Sequence, residues 1–179
     1  MVVRNSTKKV EEALVVRHRQ EPEPLAEGEL GGSVTMSRAL AQSAHGLTLN
    51  EARVMMLATR CIDPRKSPYA YAKDGYVKVR VTADEFAQMA EMAGEEGRTP
   101  TAAYEGLKAA CDKLFDRRAT WREGKKIIKL AWVWKATYHE GEGWAEVCFS
   151  PDMTPHLFML GSKFVRYRLE MARGLRSTY

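Results

Sequence analysis

Six cations, Arg117, Arg118, Arg122, Lys125, Lys126 and Lys129, fall within thirteen residues, and among charged acids only Glu123 interrupts the run from Arg118 onward. Positive side chains at this density suit a polyanion, because each phosphate contacted releases a counterion and affinity grows with every contact. A second group precedes them: Arg98, Thr99, Thr101, Tyr104 and Lys108 surround a Thr-Pro pair. In such a pair the threonine caps a helix and the proline occupies its first position, where no backbone donor is needed. Side chains near a helix N-terminus can reach groove edges and phosphates, and the helix dipole adds to the attraction. Tyr104 belongs to an apolar stripe and reads as core. Lys108 taken alone is an ordinary solvated lysine, and the 117–129 cluster taken alone is a solubilising patch.

Other chemistry finds less support. Trp121, Trp132, Trp134 and Trp144 interleave with cations, a pattern that can stack the bases of a single strand. Most of them alternate along a strand, however, which favours packing in a core or a subunit interface. His18, His45, His139 and His156 are scattered with no metal-ligand spacing, and Cys61, Cys111 and Cys148 form no CxxC pair, so neither a metal site nor a disulfide framework is expected. No glycine-rich phosphate loop follows a strand, and no paired-histidine motif stands near a tyrosine. The reading is of a protein that is not an enzyme and needs no cofactor.

The elements that must position these groups follow from periodicity. Residues 1–35, with Glu21-Pro22-Glu23-Pro24 and a glycine-rich stretch at 28–33, read as a flexible arm and linker whose Arg4, Lys8, Lys9, Arg17 and Arg19 could brush a phosphate backbone. Met36, Ala39, Leu40 and Ala44 recur at helical spacing from Val34. Thr48 to Glu51 and Thr82 to Glu85 are capping boxes that start two further helices. Tyr76 to Val81 alternates like a strand, with valines on one face. The stripe Tyr104, Leu107, Cys111 and Leu114 predicts a helix from Thr99 to about Phe115, and with the helix before it a helix-turn-helix.

A strand over Lys126–Tyr138 is expected next, with Ile128, Leu130, Trp132 and Trp134 on one face; apolar residues on both faces suggest burial or a dimer interface. A glycine turn at 141–143 returns the chain through Trp144–Phe149. A short helix from Ser150-Pro151 and a basic tail from Lys163 complete the pattern. A ribbon placed after a helical pair is the wing of a winged helix, so the fold class expected is α+β, with residues 36–179 forming the DNA-binding and dimerisation domain.

Composition agrees. Net charge is +5 with 45% hydrophobic residues, enough for a core and favourable to an anionic partner. No apolar run approaches a membrane span and the N-terminal residues show no h-region, so a soluble, intracellular protein is expected. Reduced, apolar-flanked thiols suit the cytoplasm.

Five segments in order resemble the plasmid replication initiator (Rep) family. Leu47-Thr48-Leu49-Asn50-Glu51-Ala52-Arg53 is similar to its first helix start, and Ala103-Tyr104-Glu105-Gly106-Leu107-Lys108 to its "AYxxLK" helix. Leu114-Phe115-Asp116-Arg117-Arg118 is similar to its "L-x-[DE]-R" exit. The segment from Glu142 to Asp152, closing in Phe149-Ser150-Pro151-Asp152, resembles "G-Y-V-E-[IL]-x-F-S-P-[DE]", and Phe164-Val165-Arg166-Tyr167-Arg168-Leu169 the "F-T-x-Y-x-L" close. The resemblance implies the N-terminal member of a normally tandem pair of winged-helix domains, the second lying outside this sequence. It implies largely backbone contact with double-stranded origin repeats (iterons), homodimerisation in copy-number control, and host replication proteins as further partners. A winged-helix transcriptional repressor, a docking module without DNA affinity, and a nuclease or relaxase are the rival readings.

Overall fold

A computed structural model describes residues 32–68, 72–73, 76–91, 99–158 and 164–169. The chain enters through β1 (Ser33–Ser37), which pairs antiparallel with β8 (Phe164–Arg168) in the register Ser33 to Arg168. This corrects two expectations. Ser33, Val34 and Thr35 belong to the folded body rather than to an arm, and Val34 and Met36 sit in a strand rather than a helix. Both side chains are buried, and the β-branched pair Val34-Thr35 suits extended backbone. Ser37 then caps α1 (Arg38–Ser43), its hydroxyl accepting from the Leu40 amide at 3.2 Å.

The two capping boxes form as the sequence predicts. In α2 (Leu49–Arg60) the Thr48 amide donates to Glu51 Oε2 at 2.5 Å and the Glu51 amide to Thr48 Oγ1 at 3.5 Å. In α3 (Ala83–Glu91) Thr82 and Glu85 exchange the same two bonds at 3.0 and 3.2 Å. Between these helices lie the short β2 (Ala72–Lys73) and β3 (Tyr76–Thr82). The valines of β3 turn inward, Val77, Val79 and Val81 all being buried, as the alternation requires.

Helix α4 (Pro100–Asp116) carries Thr99 as its cap, with the Ala102 amide donating to Thr99 Oγ1 at 3.2 Å, and Pro100 in its first turn. Ala103, Leu107, Ala110, Cys111 and Leu114 form its buried face.

The predicted single strand over Lys126–Tyr138 is two strands. β4 (Arg118–Glu123) and β5 (Lys126–Ala131) make a hairpin of their own, while β6 (Val133–His139) pairs with β7 (Trp144–Phe149) in a sheet ordered β2-β3-β7-β6. Trp132 lies at the break. It is 1% exposed and Val133 beside it is also buried, so two consecutive side chains point into the core and period-two alternation cannot pass through them. A 3₁₀ turn at Pro151–Met153 and α5 (Thr154–Leu157) follow. The core joins α2, α3 and α4 to the inner face of the sheet through Leu57, Phe86, Leu107, Leu114, Val147 and Phe149. The order α2-β3-α3-α4-β6-β7 is that of a winged helix, with β4–β5 inserted between the second helix of the pair and the wing.

Candidate nucleic-acid interface

The leading turn of α4 is open. Thr99, Pro100, Thr101 and Ala102 are all exposed. Arg98 lies outside the described residues. Lys108 stands two turns beyond Thr101 on the same face, since seven residues nearly complete two turns. It is half-buried: its ammonium lies 3.5 Å from Glu140 Oε1 at the wing turn and 5.6 Å from the centroid of the Tyr138 ring. The Tyr138 hydroxyl in turn donates to Asp112 Oδ1 at 2.5 Å. Burial first, and this bond second, push the Tyr138 phenol far above its ordinary range, so it remains a donor. The wing is therefore fastened to the middle of α4, and Lys108 reaches a phosphate only by leaving Glu140.

The 117–129 cations belong to a hairpin, where the sequence suggested the end of a helix and a loop. Its turn is the two-residue Gly124-Lys125, with Gly124 at φ 57°, a left-handed conformation that favours glycine. Cross-strand pairing sets Ala119 opposite Leu130 and Trp121 opposite Ile128 on the inner face. Ala119 and Trp121 are buried while Ile128 and Leu130 are half-buried. Trp121 meets the edge of the His156 ring at 4.7 Å, His156 Nδ1 pairs with Ser37 Oγ at 2.9 Å, and Ser43 Oγ donates to the Thr120 carbonyl at 3.1 Å. The hairpin is thereby seated on α1 and α5. Alternation then leaves Arg118, Arg122 and Lys129 on the outward face, with Lys125 and Lys126 at the tip; all five are exposed.

Arg117 is exposed as well, but unlike these five it is also tied inward. Its Nε donates to Glu51 Oε1 at 3.2 Å, and Glu51 has no exposure to solvent. Arg118 caps the other end of α4, its Nη1 donating to the carbonyls of Phe115, Asp116 and Arg117 at 3.1 to 3.3 Å, which satisfies acceptors that a helix terminus leaves open. Of the residues expected at a dimer interface, Ile128 and Leu130 line the hairpin, Trp134 is 55% exposed on another sheet, and Trp132 is interior. Trp132 is thus corrected from interface to core.

Sequence reasoning missed the hairpin, and the signal was present. Glu123-Gly124-Lys125-Lys126 lies between two alternating runs, which is a hairpin pattern. Among the described residues no His, Cys, Asp and Glu cluster is placed to hold a metal ion, and no helix is long and apolar enough to cross a membrane.

A helix-turn-helix, a ribbon behind it and a cationic hairpin define a winged-helix protein. Residues 33–179 match the family described as Initiator Replication protein, WH1, and the chain belongs to that family. Its fold is shared with a solved structure described as Pi initiator protein in complex with iteron DNA. The TM-score is 0.65 at 19% identity, covering 85% of this chain and 61% of that one. The chain thus spans less than two thirds of that protein's length. The WH1 domain of MSBI1.176, a replication protein isolated from a multiple sclerosis patient, aligns at 23% identity over 63% of this chain and 79% of that one, with a TM-score of 0.40. No curated protein matches the sequence.

Proposed function

We propose that this chain is the N-terminal winged-helix part of a plasmid replication initiator, acting in the cytoplasm as a binding protein rather than an enzyme. It holds double-stranded origin repeats mainly by their phosphate backbone. The observation that carries this reading is the pair of exposed surfaces at the two ends of α4. Thr99 and Thr101 lead the helix, and Arg118, Arg122, Lys125, Lys126 and Lys129 stand on the hairpin that leaves its other end. At 1.5 Å per residue, Thr101 and Arg117 are separated by about 24 Å, about seven base-pair steps of a duplex lying along the helix. Contacts of this kind position a protein on DNA and carry little sequence information. The Pi initiator, a family relative in fold, was solved with iteron DNA, which supports the choice of ligand.

Homodimerisation in copy-number control completes the proposal. The hairpin strands pair only with each other among the described residues, and Ile127 is 60% exposed on the face that bears the cations. A dimer that covers the outward side of β5 around Ile127 would remove part of the cationic face from DNA, so the dimer and the DNA-bound monomer would compete. Fluorescence anisotropy with origin-repeat, promoter and random duplexes tests the first part, with DNA cleavage in magnesium followed in parallel. Binding to all three with modest preference for the repeats is expected. Promoter preference would favour a repressor, absence of binding a docking module, and cleavage a nuclease. Sedimentation at micromolar concentration tests the dimer, and a monomer alone would remove it.

A further inference from the structure

The β4–β5 hairpin has two faces, and its inner one is spent on packing. Ala119 and Trp121 on β4, with Ile128 and Leu130 on β5, seat it against the core. Glu123, the single acid of the hairpin, shares their parity, and its Oε1 accepts from Trp121 Nε1 at 3.1 Å. The outward face therefore carries no carboxylate. Its cross-strand pairs are Arg122 with Ile127, Thr120 with Lys129, and Arg118 with Ala131. Arg118 is held at the far end by the carbonyls that close α4. The four side chains nearer the tip are all exposed. Ile127, at 60%, is the most exposed large apolar residue among those described.

We infer that this outward face reads base edges in the major groove of duplex DNA, with Ile127 against a thymine methyl group and Arg122 on a guanine. The inference rests on the duplex reading and adds sequence recognition to it, since phosphate contacts by the tip lysines carry little sequence information. A surface that met phosphate alone would have no use for an isoleucine set between Arg122 and Lys129. The major groove offers such a side chain an apolar partner, the C5-methyl of thymine, and the minor groove offers none. Arg122, directly across from Ile127, carries forked donors that match guanine O6 and N7. Thr120 and Lys129 add further donors on the same face. Dimensions favour the same groove. Two strands about 4.8 Å apart make a ribbon that a major groove about 12 Å wide admits, whereas a minor groove of about 6 Å is too narrow for a ribbon with side chains standing on it. The Arg122–Ile127 and Thr120–Lys129 pairs lie two residues apart along the strands, about 7 Å, or about two base-pair steps. Lys125 and Lys126 at the tip then meet the backbone at the edge of the groove.

The test uses the full chain and a pool of random-sequence duplexes, from which the bound fraction is sequenced. The enriched duplex is then synthesised with deoxyuridine in place of each thymidine in turn, which removes the methyl group alone. The wild type should enrich a guanine and a thymine within about three base pairs of each other. It should bind about fourfold more weakly when that thymine loses its methyl, the scale of one buried carbon. Ile127→Ala should bind the thymine and uracil forms alike. Arg122→Ala should lose about tenfold of its preference for the guanine. Lys125→Ala/Lys126→Ala should weaken binding to every duplex and leave the enriched sequence unchanged. All four positions are exposed, so the outcome does not hang on the folding of one variant. Three results would overturn the inference and leave the duplex reading standing: no enriched base, a uracil penalty that persists in Ile127→Ala, or a guanine preference that persists in Arg122→Ala. A change in sedimentation of Ile127→Ala with the same enriched sequence would also overturn it, giving the face to a second copy of the chain. No binding to any duplex would end both readings together.

Discussion

Arg117 Nε donates to Glu51 Oε1 at 3.2 Å, and this bond joins the first turn of α2 to the residue that leads from α4 into the hairpin. Glu51 already accepts from the Thr48 amide as the capping box of α2, so its buried charge serves two elements at once. A carboxylate without solvent exposure requires a cation, because an isolated ionised group is costly to bury.

Arg117→Ala should therefore act on stability. Leaving the Glu51 carboxylate without its cation should cost about 2–3 kcal/mol, read as a lower midpoint in urea. The salt dependence of duplex binding should keep its wild-type slope. A flatter slope with unchanged stability would return Arg117 to the DNA-contact group.

Gly124→Ala should loosen the hairpin locally. At φ 57° a Cβ meets no neighbouring atom within 4 Å, so the penalty is backbone conformation alone, about 1–2 kcal/mol. Amide exchange within β4 and β5 should quicken while α2 and α4 keep their protection. Uniform loss of protection would show that the hairpin is not a separate unit of stability.

His156 makes stability depend on pH. Burial lowers its pKa below the ordinary 6.5, partly offset by Glu123. The unfolded chain thus takes up this proton at higher pH than the folded one, so stability falls as pH drops from 6.5 through the lower folded value, and is regained above 6.5. Thermal midpoints between about pH 7.5 and 5 should decline in the wild type and decline less in His156→Gln. Parallel declines would assign the acid sensitivity elsewhere.

Much of the fold was legible because local signals and tertiary packing agree. The Thr48/Glu51 and Thr82/Glu85 capping boxes, the Thr99-Pro100 helix start and the alternating valines of β3 name their own geometry. Trp132-Val133 was not legible. A strand that ends between two inward-facing residues and resumes in a different sheet shows only as an uninterrupted apolar run, and nothing in residue type marks the change of partner. Val34 and Met36 failed for a related reason, since the pairing of β1 with β8 joins residues more than 120 positions apart. At the site, charge density located the hairpin cations, but charge alone could not separate Arg117, committed to Glu51, from Arg118, Arg122 and the lysines at the tip. Nor could it show Lys108 drawn toward Glu140.

The most direct measurement is the salt dependence of duplex affinity for the wild type and for Lys125→Ala/Lys126→Ala. If both lysines touch phosphate, the double variant should bind more weakly on origin-repeat and random duplex alike. Its slope of log K against log salt should be shallower by about 1.8, or about 0.9 for each phosphate no longer neutralised. Superimposable lines for the two proteins would contradict the assignment of the β4–β5 hairpin to the DNA backbone.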